Sequence, residues 1–243
     1  MATARRPEFC DSKKMEETSL KEKTAKGLFW GGFSNAMQQL LNLFFGIFLA
    51  RLLSPADYGM VGMLTIFTLI ASSLQESGFI SAITNRKEVT ANDYNAVFWF
   101  SLSVSVSVYI LLFFMAPLIA RFYNEPELVP LARFLFLGFI LSSTTTAHCA
   151  YMFRNLMVKK KTVAQLSALV VSGTVGVTAA WHGMAYWGIA LQSITYIFVS
   201  SLCFWLLTPW RPSLHIDFSP IRQMFGFSSR VLATNIFIHI NTH

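Results

Sequence analysis

Asn35, Gln38, Gln39 and Asn42 recur at intervals of three and four residues, so a helix carries all four amides on one face, and Gly46 extends that face by a turn. They sit inside an otherwise apolar run. Amides in such a setting turn away from hydrocarbon, either to line a polar cavity or to hydrogen-bond a neighbouring helix. Glu76 is the one acid well inside an apolar run. An ionised side chain there costs about 3 kcal/mol, so Glu76 reads either as a cation or proton site or as an interfacial acid paired with Arg86 or Lys87. Arg51 and Arg133 fall near the ends of two apolar runs. A planar guanidinium donates two parallel hydrogen bonds to a phosphate. The alternative is a snorkelling arginine, or one paired with Asp57, Glu125 or Glu127.

Catalytic chemistry leaves no comparable pattern. The sequence has no glycine-rich phosphate loop ending in lysine and no histidine–acid spacing suited to zinc, so no cofactor or metal is expected. Cys10, Cys149 and Cys203 are too far apart for a redox or metal motif. His148 stands beside Thr144, Thr145 and Thr146, and reads as a hydrogen-bonded packing residue rather than a proton relay. The chain reads as a non-enzyme.

The elements that must position these residues are six long apolar runs: residues 28–50, 60–83, 96–120, 128–152, 162–181 and 184–207. A hydrocarbon core about 30 Å thick needs roughly 20 apolar residues per helix, and each run is long enough. The composition agrees, with 54% hydrophobic and 13% charged residues, against about 25% charged in soluble domains. The expected fold is therefore an all-α, polytopic helical membrane protein. A seventh run, residues 231–240, is cut off by the end of the sequence. The first 26 residues are polar, and the first apolar run is too long for a signal peptide, so it is expected to remain in the mature protein.

Sixteen of the nineteen Lys and Arg residues fall before the first run and after the second, fourth and sixth; only Arg51, Arg121 and Arg133 fall on the opposite side. That alternation places the N-terminus in the cytoplasm. It also argues against a nucleic-acid partner despite the net charge of +7, because the bases form no single patch. Arg154 and Lys159, Lys160 and Lys161 read as anchors to anionic membrane lipids. Helix starts are expected at the capping-box patterns Ser19–Glu22 and Thr90–Asp93, and at Asn124-Glu-Pro126, with a turn at Ser54-Pro55.

Gly32-Phe-Ser-Asn opens the first run, and Gly226-Phe-Ser-Ser precedes the seventh. Both follow a basic cytoplasmic segment, which points to a parallel repeat. The chain thus divides into a cytoplasmic segment (1–26), a six-helix lobe (27–208), a cytoplasmic linker (209–223) and the start of a second lobe (224–243).

Six short motifs, in order, carry a family likeness. They are Arg51-Leu-Leu-Ser-Pro-Ala-Asp-Tyr-Gly59, Gly78-Phe-Ile-Ser-Ala-Ile83, Asp93-Tyr-Asn-Ala-Val-Phe-Trp99, Phe122-Tyr-Asn-Glu-Pro-Glu-Leu128, Phe153-Arg-Asn-Leu-Met157 and Gly183-Met-Ala-Tyr-Trp-Gly-Ile-Ala-Leu-Gln192. Through them the chain resembles the oligosaccharide and polysaccharide flippases of the multidrug/oligosaccharidyl-lipid/polysaccharide exporter superfamily, over about residues 20–243. The resemblance implies two six-helix lobes around a central cavity in a bacterial inner membrane. It further implies alternating access that carries a polyprenyl-diphosphate-linked oligosaccharide between leaflets for surface polysaccharide or lipopolysaccharide synthesis. Basic residues facing the cavity would meet the diphosphate. Family members carry about twice as many spans, so a missing C-terminal lobe or a second copy would be needed to enclose a cavity. A cation-coupled multidrug exporter of the same fold, acting through Glu76, and a non-transporting half-protein are the alternatives.

Overall fold

The computed structural model describes residues 8–76 and 89–213, with side chains over 29–72 and 89–213. Seven helices follow one another: α1 (Glu8–Leu52), α2 (Pro55–Glu76), α3 (Ala91–Tyr123), α4 (Leu128–Ser143), α5 (Thr146–Arg154), α6 (Val158–Trp181) and α7 (Tyr186–Leu207). Residues 214–243, with the seventh apolar run and the second copy of the repeat, lie outside the described residues, as does the motif Gly78–Ile83.

Four of these helices are long and apolar enough to cross a membrane: α2 over Pro55–Ser72, α3, α6 and α7. α4 and α5, bent by 42° at their junction, are long and apolar enough only as a pair, and count as a fifth crossing if the two form one broken span. α1 is not among them. It is 45 residues long, but Asn35, Gln38, Gln39 and Asn42 dilute the hydropathy of its apolar half. The same amides that mark a possible polar face thus make the first crossing the least lipid-like.

The helix boundaries have local causes. At the start of α2, Ser54 donates from its backbone N and its Oγ to Asp57 Oδ2, at 2.9 and 2.7 Å, and the Asp57 backbone N returns a 3.3 Å bond to Ser54 Oγ. This is a capping box, with Pro55 in the first turn where its missing N–H costs nothing. Thr90 and Asp93 form the expected capping box on α3. Two expected boundaries fall elsewhere. α1 runs unbroken through Ser19–Glu22, so no separate helix begins there. Asn124 closes α3 rather than opening the next helix: its left-handed backbone (φ 56°, ψ 31°) turns the following N–H, that of Glu125, back to Ala120 O at 3.0 Å.

The expected fourth span, residues 128–152, is broken. Five consecutive hydroxyl residues, Ser142 to Thr146, lie at the break. Ser142, Ser143, Thr144 and Thr145 each donate to the carbonyl three residues earlier, at 3.1, 2.8, 2.7 and 2.6 Å. Side chains thus take the carbonyls that the next turn of amides would use, and the helix bends.

Close packing runs through small residues, as expected where lipid offers no hydrophobic drive between helices. α6 and α7 meet at Gly176 and Gly188. A Cβ on Gly188 would lie 3.2 Å from the backbone N of Ala180 and 3.2 Å from the carbonyl of Gly176. α1 docks on α6 by seating the Phe45 ring over Gly173, where a Cβ would fall 2.4 Å from it. The main core joins Leu64 of α2, Leu112 and Ala116 of α3, Leu128, Leu131 and Phe136 of α4, and Ala190 of α7. α1 is therefore held by α6, while α2 is held by α4, α7 and α3.

Candidate functional site

Between α2, α4, α5 and α7 lies a cleft of about 560 Å³. Its first end is apolar, with Val61 and Leu64 from α2 and Leu135 and Phe139 from α4. Its second end is hydroxyl-rich. α2 contributes Thr65, Thr68 and Ser72, which share one face at spacings of three and four. The broken span contributes Ser142, Thr145 and Thr146, with Cys149 one turn on; Ser193, Ile194 and Ile197 of α7 complete the lining. The bend between α4 and α5 is what turns Thr145 and Thr146 toward α2. A straight helix there would carry the following residues along the α4 axis instead.

The hydroxyl protons are already committed. Thr65 Oγ1 donates to Val61 O at 3.2 Å, Thr68 Oγ1 to Thr65 O at 2.8 Å, Ser72 Oγ to Thr68 O at 2.7 Å and Ser193 Oγ to Ile189 O at 3.0 Å. A hydroxyl oxygen has two lone pairs besides its one proton, so these groups remain acceptors. Among the described residues, those lining the cleft include no charged side chain.

The side chains singled out from the sequence lie elsewhere. Asn35, Gln39 and Asn42 are exposed on α1; Gln38 is half-buried and donates from Nε2 to Ser34 Oγ at 2.8 Å. Arg51 is exposed as well. It follows Asn42 by nine residues, about two and a half helical turns, so it points to the opposite side of α1 from that amide. Arg133 is half-buried, with its guanidinium 4.0 Å over the Phe113 ring and no hydrogen-bond partner for its Nε. Glu76 closes α2, and its side chain lies outside the described residues. None of these is brought to the cleft among the described residues. The hydroxyl pattern that does line it was present in the sequence as Thr65–Thr68–Ser72, but serine and threonine are ordinary in apolar helices. Only the bend of the fourth span sets a second hydroxyl group opposite them.

A second cluster sits at the far end of α5 and α7. His148 is fully buried, with Nδ1 3.1 Å from Thr144 O. Its ring stacks on Trp205 with centroids 4.8 Å apart and meets the edge of Trp210 at 5.2 Å. Trp210 also packs on Tyr94 and Phe98. The segment after α7 is fastened there. The Ser213 backbone N donates to Asn95 Oδ1 at 2.9 Å, and Trp99 Nε1 donates to Ser213 O at 2.8 Å. Arg211 Nη1 donates to the carbonyls of Thr208 and Trp210. Residues 208–213 are therefore tied to α3 and α5. Removing both side-chain ties with Asn95→Ala and Trp99→Phe forfeits two hydrogen bonds, about 1–3 kcal/mol together. Amide exchange over 209–213 is expected to rise about ten-fold or more, since 1.4 kcal/mol is a factor of ten. Unchanged exchange in the double variant contradicts the clamp.

An all-helical, polytopic membrane protein with paired spans around an internal cleft is the class this architecture defines. The chain belongs to the polysaccharide biosynthesis protein family, which it matches over residues 48–243. It is similar to the lipopolysaccharide biosynthesis protein WzxC of Escherichia coli (strain K12), 26% identical over 231 residues, covering 93% of this chain and 46% of that protein. It is similar to the teichuronic acid biosynthesis protein TuaB of Bacillus subtilis (strain 168), 20% identical over 220 residues, covering 90% of this chain and 46% of that protein. The succinoglycan biosynthesis transport protein ExoT of Rhizobium meliloti (strain 1021) is 24% identical over 154 residues, covering 63% of this chain and 30% of that protein. The chain thus spans less than half the length of these relatives. In fold it resembles the crystal structure of a MATE in complex with MaD3S, with a TM-score of 0.57 and 22% identity, covering 83% of this chain and 50% of that one.

Proposed function

We propose that this chain is the first lobe of a membrane transporter. The transporter carries a polyprenyl-diphosphate-linked oligosaccharide across the bacterial cytoplasmic membrane for surface polysaccharide synthesis, by alternating access. The observation that carries the reading is a cleft between apolar spans whose largely apolar wall carries seven hydroxyl side chains, in a chain of the polysaccharide biosynthesis protein family. Single hydroxyls are ordinary in apolar helices, but their gathering from α2, the broken fourth span and α7 onto one cleft supports passage of a polar solute along it. The exposed amides Asn35, Gln39 and Asn42 on α1 support a second polar face, one that a C-terminal lobe or a second copy would cover to close a central path. Arg51 and Arg133 are proposed as contacts for the anionic head group, and Arg133 has the better case because its Nε is unpartnered. On this reading the N-terminus is cytoplasmic and the chain catalyses no reaction. Arg154 and Lys159 to Lys161 meet lipid head groups.

Deleting the gene in a strain with no second flippase is expected to trap lipid-linked oligosaccharide in the cytoplasmic leaflet and to abolish most surface polysaccharide. Normal surface polysaccharide in that strain rejects the reading. The cation-coupled exporter alternative turns on Glu76, and full export by Glu76→Gln counts against it. A half-protein that does not transport predicts no phenotype on deletion.

A further inference from the structure

We propose that the cleft between α2, α4, α5 and α7 binds an uncharged sugar unit of the transported oligosaccharide within the first lobe, and that the diphosphate is held elsewhere. This rests on the transport reading above and assigns a part of the substrate to a place. Thr65, Thr68, Ser72 and Ser193 spend their protons on carbonyls of their own helices, so they face the cleft with lone pairs. A phosphate accepts hydrogen bonds and offers none when ionised. Set against those acceptors, with no basic side chain among the described lining residues, it loses hydration and meets no cationic partner.

A sugar has the opposite character. Each ring hydroxyl donates, and its protons match the waiting oxygens of Thr68, Ser72 and Ser193. Its C–H faces suit the apolar wall at Leu64 and Phe139. The volume, about 560 Å³, lies within the roughly 300–1,000 Å³ of pockets that hold small molecules. A monovalent cation is the other donor-seeking solute. Cation sites draw oxygens into one tight shell, usually with a carboxylate. Here the hydroxyls are spread along three segments of a wide cleft rather than drawn into one shell, and the described lining residues include no carboxylate.

Cys149 lines the same cleft and reports on its occupancy. In the full-length transporter, with every other cysteine replaced, the rate at which N-ethylmaleimide alkylates Cys149 is measured in nanodiscs. Three probes are compared: the neutral oligosaccharide released by mild acid from the host's own lipid-linked pool, inorganic pyrophosphate, and sodium chloride against choline chloride. The neutral oligosaccharide is expected to slow alkylation about ten-fold at about ten times its dissociation constant, with pyrophosphate and sodium inert. Thr68→Val combined with Ser72→Ala keeps the shape, removes two acceptors and is expected to abolish that protection. Protection by pyrophosphate or sodium without protection by the sugar overturns the assignment. So does protection that survives in the double variant, or no protection by any probe. The deletion strain separates the two claims. If deletion abolishes surface polysaccharide while the sugar fails to protect Cys149, only the site assignment falls. If deletion leaves the polysaccharide normal, the transport reading falls and takes the assignment with it.

Discussion

Thr68→Trp is expected to reduce export of surface polysaccharide at least ten-fold while the protein still inserts and folds. Thr68 is half-buried on the wall of the cleft, between Thr65 and Ser72, and an indole there fills the space between α2 and the broken fourth span. A ten-fold loss corresponds to about 1.4 kcal/mol of lost binding along the path, little to ask of a blocked cavity. Ile66→Trp is the matched control. Ile66 lies two residues away on α2 and is 58% exposed, on a face turned from the cleft. It should export normally at equal membrane abundance. Equal export by both variants would mean that the cleft is a packing defect rather than part of the path.

Gly188→Val carries the largest expected effect on stability. The atoms that a Cβ would meet at Gly188 include the backbone of Ala180 and Gly176 on the facing helix, which cannot rotate aside. Forcing α6 and α7 apart costs about 1–3 kcal/mol by the measure of overpacked cores. It also strikes the most extensive helix pair in the fold. Most of the protein should be lost from the monodisperse, detergent-extracted fraction, and what remains should melt at lower temperature. Two neighbours grade the prediction. At Gly176 an added Cβ would fall 2.8 Å from Gln192 Cβ, an atom held in place by the α7 backbone, so Gly176→Ala should also be destabilising. At Gly59 nothing lies within 4 Å, and Gly59→Ala should stay within about 0.5 kcal/mol of the parent. A Gly188→Val protein that melts with the parent would refute the close-packing account.

The apolar runs could be read from the sequence because hydrocarbon thickness sets a length that any spanning helix must meet. Thr90 and Asp93 could be read as a helix start because a capping box depends on side chains three residues apart. Other boundaries needed more than local pattern. Ser19–Glu22 has the same capping spacing, yet α1 passes through it unbroken. Asn124 has the composition of a helix start and serves as a helix end, because its backbone turns left-handed there. The row Ser142 to Thr146 was visible as hydroxyls beside His148, but its effect on the backbone was not. Hydroxyls that bond their own helix can leave it straight or break it, depending on what packs outside.

The same division holds for the site. The amide stripe of α1 was evident from spacing, since a period of three and four fixes a face whatever surrounds the helix. Which neighbour that face meets is not a local property. α1 is held by α6, which leaves Asn35, Gln39 and Asn42 exposed and puts Arg51 on the other side of the helix from Asn42. Local periodicity and composition by themselves determined the class, the number of apolar runs, the charge alternation and the polar face of α1, because each depends on residues within a few turns of one another. Tertiary structure alone decided that Thr65, Thr68 and Ser72 meet Thr145, Thr146 and Ser193 across one cleft, because that meeting depends on a 42° bend and on the approach of three segments more than forty residues apart in the chain.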